Sequence, residues 1–261
     1  MIMAKDLFDL TGRTAIITGA SSRGIGSGAA KALAQHGANV FLIARRGEEL
    51  KKQAAEIEAG GGKAAYAVCD VSDEQQCADA VKACAKRFGR IDIMVLAAGI
   101  AGKRIPDDSY EFDSADWEKV LGINLYGQFY MYKYACEYLA KGGVGSVITV
   151  SSLAALKVSG ALAYSASKGA LYRMIPWYAK KLGPLGIRVN AICPGLVDTD
   201  MVNPPGYDTT DALLKPRAQS APLGRCASIE DCANLILFLA SDASRCITGN
   251  HITVDGGEAL V

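Results

Sequence analysis

Tyr164 and Lys168 stand four residues apart in the run Tyr164-Ser165-Ala166-Ser167-Lys168. On a helix that spacing puts a phenol and an ammonium on one face. An ammonium beside a phenol favours phenolate, so the tyrosine is expected below its free pKa of about 10. Such a tyrosine can protonate an alkoxide forming from a carbonyl, or remove the proton of an alcohol. A second signal lies near the N-terminus, where Gly24, Gly26 and Ala29 satisfy G-x-G-x-x-G/A. Glycine there lets the backbone approach a pyrophosphate, whose charge is favoured by free N–H groups at a helix start. About twenty residues further on, the residue that reads the adenosine ribose is expected. The chain offers Ala44-Arg45-Arg46 at that place, with no carboxylate. Arg45 can give a 2′-phosphate charge-assisted hydrogen bonds, and Arg23 is placed to approach it from the other side. NADP(H) is therefore expected over NAD(H).

Elements of a definite kind must hold these groups. Apolar runs at Thr14–Thr18, Val40–Ala44, Ala65–Val68, Ile93–Ala97, Ser146–Val150, Arg188–Ile192 and His251–Val254 read as strands. Between them lie helical patterns near Gly24–His36, Glu48–Ala59, Asp73–Phe88, Ser114–Ala140, Tyr164–Leu182 and Ser228–Leu239. Several strands are apolar at consecutive positions, as strands covered on both faces are. The alternating order predicts an α/β fold: a single doubly wound Rossmann-type domain over 1–261, with a seven-stranded parallel sheet flanked by helices on both faces. The glycine run then falls between the first strand and first helix, the context that gives the motif its meaning. Two segments break the rhythm. Gly102–Asp113 leaves the fourth strand, and 198–225, with Pro204, Pro205, Pro216 and Pro222, leaves the sixth. Both start at carboxyl ends of strands, where ligands of open parallel sheets bind, so 198–225 is expected to act as a substrate lid.

Composition excludes several other classes. The 261 residues are 50% hydrophobic and carry 28 basic against 27 acidic side chains, a formal charge of +1. That balance supplies no field for nucleic acid or a membrane surface, and neither is an expected partner. The longest apolar runs are too short to span a bilayer, and the first residues have no signal-peptide core. The eight cysteines form no C-x-x-C, and only His36 and His251 could join them as imidazole ligands. No metal site is expected, and scattered thiols suit a cytoplasmic chain.

The motifs taken in order resemble those of the short-chain dehydrogenase/reductase family, in its compact branch, over roughly Leu10 to Leu260. They comprise the glycine turn, Asp70-Val71, Ala98-Gly99, Asn124 in Ile-Asn-Leu-Tyr-Gly, Ser151-Ser152 and the Tyr164/Lys168 pair. Pro194-Gly195-Leu196-Val197-Asp198-Thr199, Thr248-Gly249 and Val254-Asp255-Gly256-Gly257 complete the set. The resemblance implies a catalytic tetrad of Asn124, Ser152, Tyr164 and Lys168. Tyr164 would be the acid/base, Ser152 would bind the substrate oxygen, Lys168 would also hold the nicotinamide ribose, and Asn124 would keep a relay water. For the cofactor it implies Gly19, Ser21, Ser22, Arg23, Gly24, Ile25 and Gly26 in the turn, with Arg45 and Arg46 at the ribose. Asp70, Val71, Ala98 and Gly99 would flank the adenosine, and Pro194, Gly195, Val197 and Thr199 the nicotinamide end.

The chain departs from the family pattern in four places. Its glycine turn is one residue longer than T-G-x-x-x-G-x-G, and the usual Asn-Asn-Ala-Gly reads Leu96-Ala97-Ala98-Gly99. Both Ser151 and Ser152 have a family spacing to Tyr164; Ser152 is chosen because the Ser-Ser-Leu-Ala context aligns the second serine. Pro176 should kink the helix that carries Tyr164. The expected activity is NADP(H)-dependent interconversion of a ketone and a secondary alcohol. Leu153, Val158, Met201, Val202 and Tyr207 hint at a hydrophobic or ring-shaped small-molecule substrate, such as a hydroxysteroid. A 3-oxoacyl-carrier-protein reductase and a sugar-alcohol dehydrogenase are the alternatives. A non-catalytic nucleotide sensor is the reading from another class, and an intact tetrad opposes it. Tyr126, Tyr130, Tyr134 and Tyr138 recur every four residues as an aromatic stripe. With the family's habit of pairing this helix, it suggests a homotetramer, with a dimer next.

Overall fold

Seven parallel strands lie in the order β3-β2-β1-β4-β5-β6-β7. They span Thr14–Thr18 (β1), Asn39–Ala44 (β2), Lys63–Val68 (β3), Ile93–Leu96 (β4), Gly145–Val150 (β5), Ile187–Pro194 (β6) and His251–Val254 (β7). The structure is a computed structural model and describes residues 6–104, 109–157, 161–206 and 208–261. Val158 and Tyr207, two of the proposed substrate-facing residues, lie outside the described residues. Strand β1 pairs with β2 on one side and β4 on the other, Thr18 being level with Ile43 and Leu96. The chain reverses its direction of travel across the sheet there, which opens a crevice beyond the carboxyl ends of β1 and β4.

Successive strand residues point to opposite faces, and each face has its own core. Ile17, Val40 and Val95 pack with Leu33 and Ile236 on one side. Ile16, Met94 and Val189 pack with Tyr132 and Ile175 on the other. The helices are α1 (Ile25–Gln35), α2 (Gly47–Ala59), α3 (Glu74–Phe88), α4 (Ser114–Leu121), α5 (Gly127–Gly142), α6 (Leu162–Leu182), α7 (Lys215–Ser220) and α8 (Ile229–Ala240). Among the described residues no helix is long and apolar enough to cross a membrane.

Three elements show detail that the sequence does not. The helix read over Ser114–Ala140 is not continuous, because a π-helical turn at Gly122–Tyr126 separates α4 from α5. Hydrophobic periodicity averages over such a turn and cannot show it. Pro176 lies inside α6, which runs on to Leu182. Proline removes the donor that would serve the Tyr172 carbonyl, one turn back. His251 of β7 stacks on the Tyr172 ring at 4.1 Å beside this point of the helix. Finally, 198–225 is not irregular throughout. It contains a π-helical turn at Thr210–Leu214 and α7, whose early Pro216 suits a helix start.

The tyrosine stripe divides. Tyr130, Tyr134 and Tyr138 pack against the core on the α3 side, and the Tyr134 hydroxyl donates to Glu74 at 2.9 Å. Tyr126 and Phe129 of the same stretch, and Trp177 of α6, are exposed. The eight cysteines carry free thiols.

Candidate active site

The first wall of the crevice is the glycine turn. Gly19 adopts a φ of +72°, and a Cβ there would stand 2.7 Å from the Ala97 carbonyl oxygen. A Cβ on Gly26 would meet the Gly19 carbonyl at 2.6 Å. Both glycines are therefore required by contact, and α1 starts directly beyond Gly24 with its first N–H groups free to receive an anion. Ser27, which the sequence reading passed over, shapes the turn: its hydroxyl donates to the Ser22 carbonyl at 2.6 Å and accepts from the Gly24 N–H at 3.3 Å.

Beside this turn is a cavity of about 190 Å³ lined by Gly19, Ser21, Ser22, Arg45, Arg46, Asp70, Val71, Ala98 and Gly99 among others. Nine of the residues assigned to the cofactor thus meet around one hollow. Arg46 donates through Nε to Ser21 Oγ at 3.3 Å, and Arg45 Nη1 lies 3.9 Å from Asp70 Oδ2. Two guanidinium groups and two hydroxyls face the place where β2 ends. Arg23, expected beside them, is elsewhere: its Nη2 donates to Asp198 at 2.8 Å, and its Nε is 3.4 Å from Asp200. Local charge wins, because two carboxylates stand directly in front of it. Gly24, Ile25 and Gly26 form the helix start behind the cavity. Pro194 ends β6, and Gly195, Val197 and Thr199 follow it, with Val197 and Thr199 buried.

The edge where the Asn-Asn pair is absent is held from β1. Thr18 Oγ1 accepts from the N–H groups of both Ala97 and Ala98 at 3.1 Å. The edge of the cavity that amides usually support is held here by one hydroxyl. Its signal in the sequence is Thr18-Gly19 ending the strand that neighbours β4.

The catalytic candidates converge from three elements. Asn124, fully buried, sits in the π-helical turn. Its side chain accepts from the Ile100 N–H at 2.8 Å and donates to the Ile100 carbonyl at 2.9 Å and to Ser167 at 3.1 Å. It thereby ties the loop after β4 to α6. π-Turns inside helices recur at functional sites. A Cβ placed on Gly99 would lie 3.3 Å from Asn124 Oδ1 and 3.8 Å from Lys168 Nζ, so both groups border the cofactor cavity. Ser152 caps the short turn Leu153–Ala155, accepting from the Ala154 N–H at 3.1 Å, and its side chain hydrogen-bonds that of Tyr164. Ser151 is buried beside Cys193. Ser152 is the serine that meets the tyrosine.

The electrostatics differ from the expectation. Burial raises the Tyr164 phenol above its ordinary value, with the Ser152 hydrogen bond opposing. Lys168 Nζ donates to the Val150 carbonyl at 2.8 Å and lies 5.4 Å from the Tyr164 ring centroid. Burial brings its own pKa down to about 8. Desolvation disfavours the charged form of each group and outweighs the attraction inferred from the i,i+4 spacing. The pair therefore consists of a neutral phenol next to an amine that gives up its proton easily.

A second cavity, about 690 Å³, lies between the loop after β4 and the start of α6. Phe112, Trp117 and Leu162 give it an apolar side, and Lys103, Arg104 and Glu111 a charged one. The segment 198–225 is joined at its base, where Val197 bridges to Ala227. Arg217 of α7 pairs with Glu258 at 2.7 Å, and Lys157 donates to the Glu258 carbonyl at 2.6 Å. Helix α7 and the segment after Ser152 are thus fastened to the same turn.

A switch-point cavity walled by a glycine turn, with tyrosine, lysine, serine and asparagine at its inner end, defines a dinucleotide-dependent oxidoreductase site. The family model described as enoyl-(acyl carrier protein) reductase matches residues 19–258. Gluconate 5-dehydrogenase of Gluconobacter oxydans (strain 621H) is 35% identical, over 97% of this chain and 96% of that protein. Trans-4-hydroxycyclohexanecarboxylate dehydrogenase of Sinomonas cyclohexanicum is 38% identical, over 94% of this chain and 92% of its own. The crystal structure of a gluconate 5-dehydrogenase from Burkholderia cenocepacia J2315, in complex with NADP and tartrate, superposes with a TM-score of 0.89 at 31% identity, covering 98% of both chains. The chain belongs to the short-chain dehydrogenase/reductase family and is an oxidoreductase.

Proposed function

We propose that the protein interconverts a ketone and a secondary alcohol with NADP(H), through Tyr164 as acid/base. The observation that carries this reading is the meeting of Ser152 and Tyr164 side chains beside Lys168 and Asn124 at the edge of the cavity. Bound in that cavity, the cofactor would give hydride to the carbonyl carbon or take it from the alcohol. Gly19, Ser21, Ser22, Gly24, Ile25 and Gly26 would hold the pyrophosphate, and Arg45 and Arg46 the 2′-phosphate. Asp70, Val71, Ala98 and Gly99 would enclose the adenosine side, and Pro194, Gly195, Val197 and Thr199 the nicotinamide end. The cavity fits such a group: a Cβ at Gly19 or Gly26 would collide with its own backbone wall, and two arginines face the ribose position.

In the reducing direction Ser152 hydrogen-bonds the carbonyl oxygen and Tyr164 protonates it as it becomes alkoxide. A phenol held neutral by burial is in the correct state to give that proton. Lys168 stabilises the phenolate left behind and would bond the ribose, and Asn124 fixes the loop and α6 around it. The apolar side of the larger cavity, formed by Phe112, Trp117 and Leu162, supports a hydrophobic or ring-shaped substrate. A polyol acid is the second reading, favoured by the likeness to gluconate 5-dehydrogenases. The exposed Tyr126, Phe129 and Trp177 support a homotetramer, and the free thiols a cytoplasmic setting.

Tyr164→Phe tests the mechanism. It keeps the ring and removes the transferable proton, so turnover should fall by roughly 10²–10⁴, with NADPH affinity little changed. A panel of cyclic ketones and oxo acids, followed at the NADPH absorbance, reads the loss. A folded Tyr164→Phe protein that reduces its ketone at the wild-type rate refutes it.

A further inference from the structure

The extra residue of the glycine turn makes contacts far along the chain. The Arg23 N–H donates to Asp200 Oδ2 at 3.0 Å, and the Asp200 N–H donates to the Arg23 carbonyl at 2.9 Å. The Arg23 guanidinium donates through Nη2 to Asp198 Oδ1 at 2.8 Å and through Nη1 to the Asp198 carbonyl at 3.0 Å. Asp198 is held below the ordinary carboxylate range by this arginine. A lone exposed ion pair adds little, because solvent and side-chain entropy offset it. Here one main-chain bond, and one from the Arg23 N–H to the Asp200 carboxylate, hold the segments before the guanidinium adds its own. The result is a joint between two loops.

The two sides of that joint serve different ends of the site. On one, Ser21 and Ser22 line the cofactor cavity, and Ser27 locks the Ser22 carbonyl. On the other, the Thr199 carbonyl accepts from the N–H groups of Val202 at 3.0 Å and Asn203 at 2.7 Å, forming the first turn of the lid. We propose that Arg23 is a positioning residue that couples the glycine turn to the root of the lid, so that filling the cofactor cavity orders the lid for substrate. The proposal rests on the reading of that cavity as an NADP(H) site. By linkage the effect is reciprocal, and a substrate under the lid tightens the cofactor.

Hydrogen exchange of the segment Asp200–Gly206 tests the coupling, with NADPH as the probe. In the wild type, saturating NADPH should slow this exchange by at least about fivefold, the lower end of ordinary coupling between sites. In Arg23→Ala the slowing should shrink, because the guanidinium bonds go and those of the main chain stay, and NADPH and NADH should lose affinity alike, by no more than the coupling factor. Asp198→Ala should reproduce this, and the double variant should be no worse than either, since one joint cannot be broken twice. With a turned-over ketone, KM should rise while kcat holds. Undiminished slowing in Arg23→Ala overturns the proposal. So does a selective loss of NADPH over NADH affinity, which would make Arg23 a phosphate ligand. If wild type binds neither nucleotide, the cofactor reading fails. The joint is then judged on the free protein, where Arg23→Ala must speed exchange at Asp200 or the joint fails too.

Discussion

Lys168 carries a stability cost that substitution should release. Its pKa falls from 10.5 to about 8 because the ammonium is buried, which at about 1.36 kcal/mol per unit amounts to roughly 3 kcal/mol. The sign follows from proton counting. Below about pH 8 the folded protein carries the charge in a dry site and the full cost applies. Between the folded value of about 8 and the free value of 10.5, the unfolded chain binds more protons than the native one, so stability climbs with pH. Taken from pH 7 to pH 10, this one group should raise the unfolding free energy by roughly 2–3 kcal/mol. Lys168→Met keeps the chain length and removes the charge, so that share of the rise should vanish. At pH 7 the variant should be the more stable by about 2 kcal/mol, after roughly 1 kcal/mol for the lost bond to the Val150 carbonyl. Urea denaturation of both proteins at the two pH values gives the difference directly, since other groups titrate alike in each. Turnover should collapse in the variant, so the residue would be unfavourable for folding and needed for chemistry. Parallel pH dependence in wild type and variant would refute the reasoning, because the amine would then not be desolvated.

Arg45→Asp should reverse cofactor preference, removing one phosphate partner and adding repulsion at the ribose edge; NADPH and NADH titrations of both proteins read it, and a wild type that prefers NADH sinks the NADP(H) reading. Sedimentation at micromolar concentration should show a tetramer, and Trp177→Glu on the exposed face of α6 should shift it toward smaller species. A 27.4 kDa species alone in the wild type rejects the assembly.

Much of the fold was legible because its signals are local. Seven apolar runs separated by helical periods become a parallel sheet wherever both faces need cover, and β1 and β7 occupy the ranges read for them. Tyr164, Lys168, the glycines, Arg45 and Asp70 announce themselves by type and spacing at the carboxyl ends of strands. What spacing cannot carry is the environment at each atom. Nothing in the order of residues shows that Asn124 sits in a π-turn, that Thr18 Oγ1 accepts from both Ala97 and Ala98, or that His251 stacks on Tyr172 beside Pro176. Arg23 reads as a phosphate ligand until Asp198 and Asp200, 175 and 177 residues away, are folded against it. The Tyr164/Lys168 electrostatics came out opposite in sign to the local expectation. Charge attraction can be read from an i,i+4 pair, but desolvation is a property of everything packed around it, and only the tertiary structure sets that.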